Sequence, residues 1–126
     1  MANKMNPVQK LCDFDDAVIA NGASLSGAFN LMGRIPAGIY MPAAWTAAGL
    51  SFQVSYDDVT YYNLRSLAGA AEYTAAAAAD EYVPLDFTLF YGVRFVKVRS
   101  GTLGTPVNQG AARTLVLSCG IPAIDQ

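Results

Sequence analysis

Leu50-Ser51-Phe52-Gln53-Val54-Ser55-Tyr56 decides the fold class. Leu50, Phe52, Val54 and Tyr56 alternate with Ser51, Gln53 and Ser55, so an apolar face and a polar face emerge from a period of two. That period belongs to a strand with one buried side and not to a helix. The run Val93-Arg94-Phe95-Val96-Lys97-Val98-Arg99 is rich in strand formers. Alternation sets Val93, Phe95, Lys97 and Arg99 against Arg94, Val96 and Val98. Neither set is purely apolar, which predicts a bulge near Val96 or a strand covered on both faces.

Outward from these two runs the pattern repeats. Thr114–Cys119 reads as a final strand, and Ala17–Ala20 and Gly38–Met41 as shorter ones. Pro36 and Pro42 bracket the last of these, which suggests a sheet edge or a sharp entry. Asn21-Gly22, Ser26-Gly27, Asp57-Asp58, Ser100-Gly101 and Leu103-Gly104 break the chain at short intervals, the spacing of many short strands. The expected fold is all-β, a single-domain, jelly-roll-like β-sandwich. Phe52, Val54, Phe95, Val98, Leu115 and Leu117 are its expected core. Ala68–Glu81 stays open between one or two helical turns and an irregular strand and loop, because its alanines favour helix while its neighbours favour sheet. Residues 1–16 lack periodicity and read as an N-terminal arm, leaving 17–126 for the sandwich.

A chain of 126 residues supports one core. Charged residues make up 14% of it and hydrophobic ones 53%, against about 25% charged in typical soluble domains. Such a chain is expected to bury part of its surface against partners. The net charge of −2, with no basic segment, argues against nucleic-acid binding. No apolar run has the length of a membrane span, and residues 1–7 lack a signal-peptide core, so synthesis in a cytoplasm is expected. Cys12 and Cys119 leave open a disulfide that pins the two ends together, while a cytosolic setting favours two free thiols.

The sequence contains no histidine, which removes the commonest general base and every Ser-His or Cys-His pairing. Neither cysteine has metal-ligand spacing. Asp13, Asp15 and Asp16 read as a solvated edge, and Asp57-Asp58 as a turn closed through its own backbone. Gly101-Thr102-Leu103-Gly104-Thr105 lacks the lysine of a phosphate loop and reads as a hairpin. No enzyme activity, cofactor or metal is therefore expected. The residues that remain for a partner or ligand surface are Trp45 and the tyrosines Tyr56, Tyr61 and Tyr62, with core packing as the competing account of Trp45 and strand preference that of the tyrosines.

Several stretches, read in order, carry a resemblance. They are Gly38–Thr46, Leu50–Ser55 with the Asp57-Asp58 turn and Tyr61–Leu64, Gly92–Gly101, and Pro106–Leu115. Over roughly residues 17–118 the chain resembles small virion proteins of tailed bacteriophages, of the capsid cement or decoration type. Its middle is also similar to discoidin-type, galactose-binding-like jelly rolls, in which a Phe-Gln-x-Ser-x-Asp strand and turn precede a Gly-x-Arg-Phe strand. The resemblance implies a virion protein on the capsid exterior, bound to the major capsid protein and assembled as a homo-oligomer, a dimer or trimer. It implies no active site. Recognition of a surface carbohydrate for host adhesion, and a tail or head-completion role, stand as alternatives.

Overall fold

Eight strands pair as one long hairpin rolled up on itself. A computed structural model describes residues 12–69 and 71–121. The strands are β1 (Cys12–Ile19), β2 (Phe29–Asn30), β3 (Ile35–Tyr40), β4 (Leu50–Ser55), β5 (Tyr62–Asn63), β6 (Tyr82–Pro84), β7 (Phe95–Ser100) and β8 (Arg113–Gly120). A short 3₁₀ turn, Phe87–Phe90, follows β6. β1 pairs with β8, β2 with β7, β3 with β6 and β4 with β5, all antiparallel. Contacts of β8 with β3 and β7 with β4 then close two four-stranded sheets, β1-β8-β3-β6 and β2-β7-β4-β5. This is the jelly-roll form of the β-sandwich, and it bears out the expected fold class.

The core lies between the sheets. Ile39, Leu115, Leu117 and Cys119 from one sheet meet Leu50, Phe52, Val96 and Val98 from the other, with Phe90 edge-on to Phe52 at 5.5 Å between ring centres. Phe52, Val98, Leu115 and Leu117 are buried as expected, and Val54 is half-buried. Phe95 corrects the expectation. Val96 and Val98 take the inner side of β7, so alternation turns Phe95, Lys97 and Arg99 outward. Phe95 is only half-buried there, with the Arg94 guanidinium 5.5 Å from its ring centre.

Three further readings change. Residues 12–16, assigned to the arm, belong to β1 and pair along β8; residues 1–11 lie outside the described residues. Asp13 and Asp15 share one side of β1 and meet Arg34 at 3.3 and 2.6 Å, so only Asp16 of that trio fits the solvated edge. Arg34 is delivered by a tight turn with positive φ at Met32 and Gly33, and it also donates to the carbonyls of Asn30 and Leu31. Finally, β3 is an interior strand. Its register shifts between Pro36 and Gly38, where a bulge tolerates the missing N–H of proline.

The described part of 68–81 holds no helix. Ala75 is buried and exchanges both backbone hydrogen bonds with Leu50, at 2.8 and 2.9 Å. The bridge brings the two backbones close, with the Ala75 carbonyl only 3.1 Å from where a Cβ on Gly49 would sit. Pairing with Leu50 outweighs the helix propensity of the alanines.

Candidate functional site

Trp45 is half-buried against the core, and its indole Nε1 donates to the Ala48 carbonyl at 3.1 Å. The loop that carries it is pinned by Gln109, a buried amide with every group in use. Its Oε1 accepts from the Thr46 N–H and Arg113 Nε, and its Nε2 donates to the Thr46 carbonyl and Ser100 Oγ. A fully satisfied buried amide fixes geometry. Trp45 is thus a fixed aromatic at the edge of the core.

The tyrosines sit elsewhere. Asp57 Oδ1 accepts from the N–H groups of Val59 and Thr60, and Asp58 adopts a positive φ, so this turn closes on its own backbone as the sequence implies. These hydrogen bonds to the charged form hold the Asp57 carboxyl below its ordinary pKa. The Tyr61 hydroxyl donates to Asp58 Oδ1, while Lys97 Nζ stands 4.2 Å from the Tyr61 ring centre. Burial, then the neighbouring Asp58 carboxylate, pushes the Tyr61 phenol up to about 12. Tyr56 and Tyr62 are 65% and 54% exposed and line an open hollow of about 180 Å³ with Val54, Ser55, Gly92 and Val93.

Trp45 and the tyrosines do not share a surface. Trp45 precedes β4, beside the end where Leu50 pairs with Ser100; Tyr56 follows β4, where Ser55 pairs with Phe95. Strand rise separates those ends by roughly 17 Å. The four-residue platform expected from sequence is therefore two sites at opposite ends of the sandwich.

The sequence reading missed an aromatic surface made of three rings. On the outer side of β1-β8-β3-β6, Phe14, Tyr40 and Tyr82 are 51%, 49% and 44% exposed. Their ring centres follow at 6.4 and 4.6 Å, with planes tilted by 54° and 51°. Register builds this ridge: Phe14 pairs across to Ser118, Tyr40 to Val116 on one side and Tyr82 on the other. Gly38 provides the seat for the Tyr82 ring, whose Cζ would lie 2.2 Å from a Cβ placed there. Next to the ridge an open apolar hollow of about 260 Å³ is lined by Ile35, Ala37, Phe87, Tyr91, Gly120 and Ile121.

The outer side of β2-β7-β4-β5 has the opposite character. Lys97, Gln53, Asn63 and the ion pair of Arg99 with Glu72 make it mostly polar, with the half-buried rings of Phe95 and Tyr61 set among them. Among the described residues, no group of three His, Cys, Asp or Glu side chains is placed to hold a metal ion, and no helix is long and apolar enough to cross a membrane. Compared with protein-family models, with curated proteins and with solved structures, the chain matches none.

Proposed function

We propose that this chain is a structural virion protein of the cement or decoration type, which binds the outer surface of a capsid and stabilises it by joining neighbouring subunits. The observation that carries the reading is the contrast between the two outer faces. A sandwich with one aromatic outer side and one polar outer side is built to bury the first in an assembly and leave the second in water. The low charge fraction and the resemblance to small phage virion proteins support the same role. The major capsid protein and sister copies are the partners, and the virion exterior is the place of action.

Adhesion to a host carbohydrate is the second reading. It is favoured by the exposed Tyr56 and Tyr62 at their open hollow; Trp45, at the far end of the sandwich, adds nothing to it.

The test mixes purified protein with empty mature capsids lacking it and measures bound copies per shell. Binding should saturate at a fixed ratio, and decorated particles should rupture at higher temperature than bare ones. Absence of saturable binding, with retention of the chain on a glycan surface, would overturn cementing in favour of adhesion.

A further inference from the structure

We infer that the aromatic face of β1-β8-β3-β6 is a two-fold interface, with a second copy of this chain as its occupant. The inference deepens the assembly reading above and rests on it.

Area comes first. Phe14, Tyr40, Tyr82, Phe87 and Tyr91 are each about half exposed. An aromatic side chain buries ~150–250 Å² when fully covered, so these five present on the order of 500 Å². Val18, also about half exposed, adds to it. The largest apolar patch on a typical monomer is ~300–600 Å², and a stable pair buries ~800 Å² per partner. The face lies within the first range, and because only about 56–65% of an interface is apolar, on the order of 500 Å² matches the apolar share of the second.

Shape comes next. The ridge of Phe14, Tyr40 and Tyr82 and the hollow beneath Phe87 and Tyr91 lie side by side on one surface. A two-fold axis lying in the plane of the interface, between and along them, puts each copy's ridge into the other's hollow, which is the self-complementarity an isologous interface requires.

Charge selects against other occupants. Asp16 is the one charged residue among the outward-facing positions of β1, β8, β3 and β6. A nucleic acid finds no cation there. A sugar finds no flat platform, because neighbouring ring planes are tilted by more than 50°. An apolar protein surface carrying its own ridge fits.

Sedimentation equilibrium of the full chain alone tests this without any capsid. The expected species has twice the 13.3 kDa chain mass. Phe14→Lys and Tyr82→Glu should each raise the dissociation constant at least 10-fold, and Tyr62→Lys, at the opposite hollow, should leave it unchanged. Far-UV circular dichroism checks that each variant keeps its sheet signal, and Val18→Lys at the margin replaces any that does not. A chain that stays monomeric to ~1 mM, a trimer, or a dimer indifferent to both ridge substitutions would overturn the inference. A monomer that still saturates capsids would overturn it while leaving the decoration reading standing.

Discussion

Arg99 and Glu72 form an ion pair at 2.9 Å that ties the loop after β5 onto the outer side of β7. Arg99 is buried, and its guanidinium also donates to Ser51 Oγ and Asn63 Oδ1, while Glu72 accepts from the Leu103 N–H. The pair and its hydrogen bonds thus join three strands, β4, β5 and β7, and two loops. Removing one partner of a buried pair costs about 3–5 kcal/mol, because the other charge is left without compensation. Glu72 keeps some solvent contact, so Glu72→Ala should fall toward the lower end of that range. Arg99→Met combined with Glu72→Leu should recover much of the loss. Urea unfolding of Arg99→Met, of Glu72→Leu and of the double variant measures the difference; a double-variant loss equal to the sum of the two single losses would mean the charges contribute nothing as a pair.

Phe52 and Phe95 separate core from surface. Phe52 is fully buried and packs edge-on against Phe90, whereas Phe95 is half-buried on the outer side. Phe52→Ala should cost about 3–5 kcal/mol. Phe95→Ala should cost less than that, since part of its surface already meets water and it lies outside the core cluster. Chemical denaturation of both variants gives the ranking, and a larger loss at Phe95 would reverse the assignment of sides on β7.

Tyr61 should titrate late for a tyrosine. Its pKa is raised from 10.0 to about 12, burial first and Asp58 second. A raised pKa means folding favours the neutral phenol. The associated stability is fully present below pH 10 and is lost as pH climbs through 12. Ultraviolet absorbance against pH should show one tyrosinate appearing near pH 12. Asp58→Asn should lower that value without restoring it to 10, because the burial remains.

The cysteines should differ in reactivity. Cys12 faces outward and is exposed; Cys119 is buried on the inner side and its thiol is pushed up to about 11, chiefly by burial. Because β1 and β8 pair Cys12 with Gly120 and Asp13 with Cys119, the two sulfurs point to opposite sides of the sheet and cannot bridge. Native protein treated with a thiol reagent near pH 8 should lose one thiol quickly, and the second only on unfolding. Two rapid equivalents would place Cys119 at the surface.

Local order in the chain was legible residue by residue. The alternation of Leu50 to Tyr56 made a strand, Asp57 made its turn, and the missing histidines narrowed the chemistry, because each of these depends on neighbours in sequence. The tertiary structure decided the rest. In β7 both alternating sets are mixed, so only the opposing sheet could choose Val96 and Val98 for the inside and leave Phe95 and Arg99 out. The tyrosine group and Trp45 looked like one platform until β4 set them at opposite ends. The ridge of Phe14, Tyr40 and Tyr82 had no sequence signal at all, since its members lie far apart along the chain and meet only through the register of β1, β8, β3 and β6. Periodicity fixes which side of its own strand a residue takes; pairing between distant strands fixes whom it meets there.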